Sequence, residues 1–158
     1  MVMATSLRDQ LDAKVKEISN LVSNVSDDQA ARAPAQGEWC VKEVLSHLAG
    51  DDGRESLRRL QRFVQEDTPS VDLTPGLTHG DQHQGKSAQQ LLAEVEGQYS
   101  EIARFVGGLS DGQLSRKAHI PMLKESPLGE YPTLGQWTGF LINYHLAGHI
   151  AQLQKLCQ

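Results

Sequence analysis

The sequence predicts an all-α fold, a four-helix bundle in up-down-down-up order. Three observations predict it. Four long stretches carry apolar residues three and four apart, the period of one helix face. No stretch shows the alternation of a half-buried strand. The connections are unequal, and the second is long enough to run back along a bundle.

The first helix is predicted over residues 6–25, with Leu7, Leu11, Val15, Ile18, Val22 and Val25 on one face. Ser6 is its N-cap, and Asp9 lies in the first turn, where the helix dipole favours an acid. The turn Ser26-Asp27-Asp28-Gln29 and the Pro/Gly stretch Ala33-Pro34-Ala35-Gln36-Gly37 follow. So short a link predicts that the first and second helices are antiparallel neighbours. The second helix is predicted over 40–66, with Val41, Val44, Leu45 and Leu48 and then Leu57, Leu60, Phe63 and Val64. A polar run, Asp51-Asp52-Gly53-Arg54-Glu55, interrupts it. The third helix, over 87–109, opens on Ser87 and Gln90, which form a capping box. Its stripe is Ala88, Leu91, Leu92, Val95, Tyr99, Ile102, Val106 and Leu109. The fourth, over 133–156, follows Pro132 and opens on a second box, Thr133 with Gln136. Helices of this length span roughly 30–40 Å. The 67–86 link, with Pro69, Pro75, Gly76, Gly80 and Gly85, is the long crossover between the second and third helices. The 110–132 link has room for an irregular flap.

Length and composition bound the function. A chain of 158 residues is the size of a single domain covering 1–158. The net charge of −5 argues against a nucleic-acid partner, which requires a basic face, and against an anionic membrane surface. No signal segment or membrane-length apolar run occurs. Cys40 and Cys157 stand far apart, so neither a disulfide scaffold nor a cysteine zinc module is expected. The expected setting is a reducing cytoplasm, and the expected partner a small-molecule substrate.

Three of the six histidines are unusually placed. His47 shares a face with Val44 and Asp51; His145 and His149 lie four apart on the fourth helix, so both project from one face. Flanking Leu141, Tyr144 and Leu153 predict that this face points inward. If the second and fourth helices are antiparallel, His47 and His149 lie at similar depth, roughly 10 Å from one end of the bundle. Three imidazoles converging there match a divalent-metal site with open coordination positions. The alternative is that these are core histidines, each with one hydrogen bond. The pair is not the zincin motif, because Leu146 stands where that motif has its glutamate. His79, His83 and His119 lie in predicted loops and read as solvated. The second and fourth helices also echo one another. Gly37-Glu38-Trp39 precedes His47-Leu48-Ala49-Gly50 at the spacing by which Gly135-Gln136-Trp137 precedes His145-Leu146-Ala147-Gly148. In this register Asp51 corresponds to His149.

Trp39-Cys40-Val41-Lys42-Glu43-Val44-Leu45-Ser46-His47-Leu48 resembles the second-helix signature of the DinB/YfiT-like metalloproteins. His145-x-x-x-His149-x-x-Gln152 resembles their fourth-helix signature, and Ser110-Asp111-Gly112-Gln113-Leu114 the turn after their third helix. The resemblance spans essentially the whole chain. It implies an up-down-down-up bundle, often a homodimer, with nickel, zinc, iron or manganese held by His47, His145 and His149. It also implies thiol-dependent chemistry, in which bacillithiol, mycothiol or glutathione acts as cosubstrate. Cys40 departs from the serine or threonine common at that cap, which predicts a weakened helix start that Glu43 still supports.

The expected function is activation of a low-molecular-weight thiol for S-transfer to an electrophile. Asp51 is the candidate to accept the thiol proton or orient a ligand histidine, and Arg54 and Arg58 to meet a carboxylate on the cosubstrate. The same three histidines would equally serve a metal-dependent hydrolase. A third alternative is a non-catalytic bundle that binds a ligand or partner, with a structural metal or none. Gln152 is placed to bond a ligand histidine. Trp39 and Trp137 read as packing residues, Tyr144 as core with reach to the metal, and neither cysteine as a nucleophile.

Overall fold

The computed structural model describes residues 2–50, 55–73 and 80–158. Its helices are α1 (Val2–Val22), α2 (Asp27–Ala30), α3 (Val41–Ala49), α4 (Glu55–Gln65), α5 (Gly80–His83), α6 (Ala88–Gly107), α7 (Asp111–Leu114), α8 (Leu134–Phe140) and α9 (Ala147–Leu156). A π-helical segment, Leu141–Leu146, joins α8 to α9 without a break. Among the described residues there is no strand; Ser70 and His119 form one isolated bridge, Lys117 and Thr133 another. The first ties the start of the crossover to the link before α8, and the second ties that link to the cap of α8.

The two capping boxes read from sequence form. Ser87 with Gln90 and Thr133 with Gln136 each make a reciprocal box, and Ser110 with Gln113 makes a third at α7. At α3 the Glu43 carboxylate accepts from the Cys40 amide at 3.1 Å, and Cys40 itself is buried. The first helix begins earlier than predicted, at Val2, so Ser6 lies inside it and bonds Gln10 rather than capping.

Contacts between helix ends give the order and direction of the bundle. Gln89 Nε2 donates to the Val22 carbonyl, while Gly107 meets the Arg8 side chain, so α1 and α6 are antiparallel. Asp27 accepts from Lys42 at the start of α3 and from the Ala88 amide at the start of α6, so those helices are parallel. Trp39, before α3, reaches His149 in α9, and Met3 reaches Gly135. The result is up-down-down-up. It also corrects one expectation. The first helix packs on α6 and on the α8–α9 helix, and α3 packs on α6 and α9; the first and second helices therefore lie across a diagonal. Short linkage did not make them neighbours because each buries its stripe more fully against α6.

The second helix is not continuous. α3 ends at Ala49, with Gly50 at φ 72°, ψ −165° as its C-cap, a conformation essentially reserved for glycine. The helix resumes at Glu55 as α4. Apolar side chains from every long helix meet in one core that includes Leu11, Ile18, Leu45, Leu48, Phe63, Leu91, Ile102, Ile142 and Leu146, all buried.

Candidate metal centre

α3 and the fourth helix each deliver imidazoles to the same place. α3 is nine residues long, and His47 lies on its last turn. That turn is held from outside. Gln98 Nε2 of α6 donates to the Leu48 carbonyl at 2.9 Å, and Ser46 bonds the His83 side chain of α5. His145 lies in the last turn of the π segment and His149 one turn on in α9.

The π segment has a physical reason. Leu134, Thr138, Ile142, Leu146 and Ile150 are each buried, a strict step of four. On an α-helix such a step drifts about 40° each time, so the buried stripe would wind off the core. Wider turns absorb the drift and keep both the stripe and the two histidines facing inward. π segments of this kind recur at functional sites.

One nitrogen from each of His47, His145 and His149 can be chosen so that all three lie within 4.8 Å of one another. Ring centroids are 5.3 Å apart for His47–His145, and 4.8 Å for both His47–His149 and His145–His149. All three side chains are half-buried. Burial, reinforced by the potential positive charge of His149 and then His47, lowers the His145 pKa to about 4. His145 is therefore neutral at pH 7, the form that ligates a metal. His149 Nδ1 lies 3.0 Å from Gln152 Oε1. An amide oxygen there accepts from Nδ1–H, which leaves the Nε2 lone pair to ligate. Among the described residues no cysteine or carboxylate joins the three. Three converging nitrogens, one on the neutral His145 ring and one with its tautomer fixed from behind, fit a divalent ion with open positions.

Other expectations sort clearly. Asp51 and Arg54 lie outside the described residues, as does His79; Arg58 is exposed on α4. Tyr144 does not pack in the core; it is 71% exposed and stacks on Phe140. Trp137 is buried against Phe140. Burial raises the pKa of both Cys40 and Cys157, so neither carries a ready thiolate. His119 is partly exposed, stacked on Tyr131 and 3.4 Å from Glu130. His83 is the clear correction. It is buried, not solvated: Nδ1 lies 2.6 Å from Ser46 Oγ and Nε2 3.3 Å from Glu94 Oε2, and Lys86 pairs with the same carboxylate. A histidine amid Gly and Pro gave no periodic signal of burial, because its partners are remote in sequence.

The DinB superfamily model matches residues 10–153. The chain belongs to the DinB superfamily. It is similar to YfiT of Bacillus subtilis (strain 168), a provisionally named metal-dependent hydrolase, at 27% identity over 94% of this chain and 79% of the relative. It is also similar to the uncharacterised YuaE of the same organism, at 21% identity over 89% of this chain and 90% of the relative. The solved structure of YfiT, described as a "probable metal-dependent hydrolase with an unusual four-helix bundle topology", superposes with a TM-score of 0.74 at 22% identity. The match covers 97% of this chain and 85% of that one. The shared fold is a four-helix bundle. No described helix of this DinB-superfamily chain is long and apolar enough to cross a membrane.

Proposed function

We propose that this chain is a divalent-metal enzyme whose ion, held by His47, His145 and His149, activates a low-molecular-weight thiol for transfer to an electrophile. One observation carries the reading: three imidazole nitrogens converge within 4.8 Å, with no acidic or thiol ligand among the described residues to close the set. A structural site would be closed by a fourth protein ligand, whereas a catalytic one keeps a position for substrate. A divalent ion so placed lowers the pKa of a thiol or water that it binds, which supplies a nucleophile at neutral pH.

The chain's own side chains do the rest. His145 stays neutral because charging it would bury a cation beside two other imidazoles. Gln152 holds the His149 ring from behind. The protein's own thiols stand apart: Cys40 is buried at the cap of α3 and Cys157 follows α9, so the reacting thiol comes from outside. Asp51, four residues beyond His47 in sequence, is the proposed acceptor of its proton. The second reading, hydrolysis of an ester or amide at the same histidines, is favoured by the name carried by YfiT.

Elemental mass spectrometry on untagged protein, beside a His47/His145/His149 triple-alanine control, tests the site. About one divalent ion per chain in the wild type and none in the control is the expected result. Metallated protein is then offered bacillithiol, mycothiol or glutathione with a panel of electrophiles, and separately esters and amides. Thiol consumption supports transfer; hydrolysis without thiol supports the second reading. No metal after incubation with zinc and nickel overturns both.

A further inference from the structure

Behind the three imidazoles stands an aromatic side chain that the proposed chemistry does not use. The Trp39 ring centroid lies 5.2 Å from that of His47, tilted by 51°, and 6.4 Å from that of His149, within 9° of parallel. Trp39 belongs to neither helix; it precedes the cap of α3 and is half-buried. It also lines an open cleft of about 800 Å³, together with Gln29, Arg32, Pro34, Gln152 and Lys155. The indole therefore borders both the ligand rings and this cleft.

We infer that Trp39 is a positioning residue of the metal centre, holding the His47 and His149 rings in ligating orientation and shielding them from the cleft. The inference rests on the proposed three-histidine metal site. The final torsion of a histidine is soft, so a ligand ring needs a neighbour to set its plane. Gln152 does this for His149 from one edge; beside the third ligand ring, His145, Trp39 is a ring neighbour of both His47 and His149. An imidazole that binds a cation also becomes electron-poor, and an indole face is the best aromatic partner for such a ring. Trp39 thus favours the loaded site over the empty one, which ordinary packing would not do. Without it, water from the cleft reaches the ligands.

The test compares wild type, Trp39→Phe and Trp39→Leu, each checked for folding by circular dichroism. Zinc affinity is measured by chelator competition and coordination by the visible spectrum of the cobalt(II) form. Trp39→Leu is expected to bind zinc about tenfold more weakly, with paler cobalt bands as further water coordinates; Trp39→Phe recovers most of both. In Trp137→Phe, which leaves Trp39 as the sole tryptophan, one equivalent of cobalt(II) is expected to quench the emission. That measurement leaves position 39 unchanged and so survives any misfolding of the other variants. Wild type that loads metal while Trp39→Leu matches its affinity and spectrum overturns the inference alone. Absence of quenching by bound cobalt overturns it too. Wild type that takes up no metal overturns the proposed centre, and this inference with it.

Discussion

The second and fourth helices carry the same pattern, Gly-x-Trp followed by His-Leu-Ala-Gly, yet they fold differently. In the second, the glycine ends the helix: Gly50 takes φ 72° and α3 stops at Ala49. In the fourth, the helix runs through Gly148 and on to Leu156. The residues after each glycine decide between the two outcomes. Beyond Gly148 come Ile150 and Leu153, both buried, and their burial offsets the roughly 1 kcal/mol that a helical glycine costs. Beyond Gly50 the sequence reads Asp51-Asp52-Gly53, with nothing apolar to bury until Leu57. The two histidine-bearing segments are therefore stabilised differently. The fourth helix supports itself along its length. The short α3 is pinned from outside by Asp27 on Lys42, His83 on Ser46 and Gln98 on the Leu48 carbonyl.

The largest effects should fall on the metal, where the two segments act as one. Changing His47, His145 or His149 singly to alanine is expected to weaken metal binding by more than the 10–100-fold typical of outer-shell changes, with the helical circular dichroism retained. A His47→Ala protein that still binds as tightly as wild type would break the pairing of the helices. Next come the pins of α3. His83→Ala is expected to cost about 1–3 kcal/mol in urea denaturation, because it removes a buried ring and its 2.6 Å hydrogen bond with Ser46 on α3. A loss near zero would show that α3 holds itself.

The glycines give the sharpest contrast, because the same substitution should have opposite signs. Gly50→Ala is expected to destabilise by about 1–3 kcal/mol, since a Cβ there is strained and would lie 3.0 Å from Gln98 Oε1. Gly148→Ala meets nothing within 4 Å and should stabilise by about 0.5–1 kcal/mol. Thermal unfolding of the pair checks the signs, and equal signs would refute the account of the helix end. The smallest effect is one of pH. The Ala88 amide and then Lys42 lower the Asp27 pKa below its ordinary 3.8. Its contribution is thus present above 3.8 and is lost as pH falls through the lowered value. Asp27→Asn should lower the melting temperature slightly at pH 7 and make no difference in strong acid.

The long helices, their capping boxes, the crossover and the three histidines were legible in the chain alone, because periodicity, Ser/Thr-x-x-Gln caps and i, i+4 spacing are local properties. The end of α3 was also legible in Gly50-Asp51-Asp52-Gly53, and the π segment in the strict four-residue step from Leu134 to Ile150, though a plain helical reading passes over both. Packing settled the rest: the first and second helices lie diagonally, His83 is buried between Ser46 and Glu94, Tyr144 faces outward, and Trp39 lies against the imidazoles while Trp137 does not. Each of these depends on which faces meet. A helix face can be read from its own residues, but its partner is chosen by the burial that every other face offers in competition.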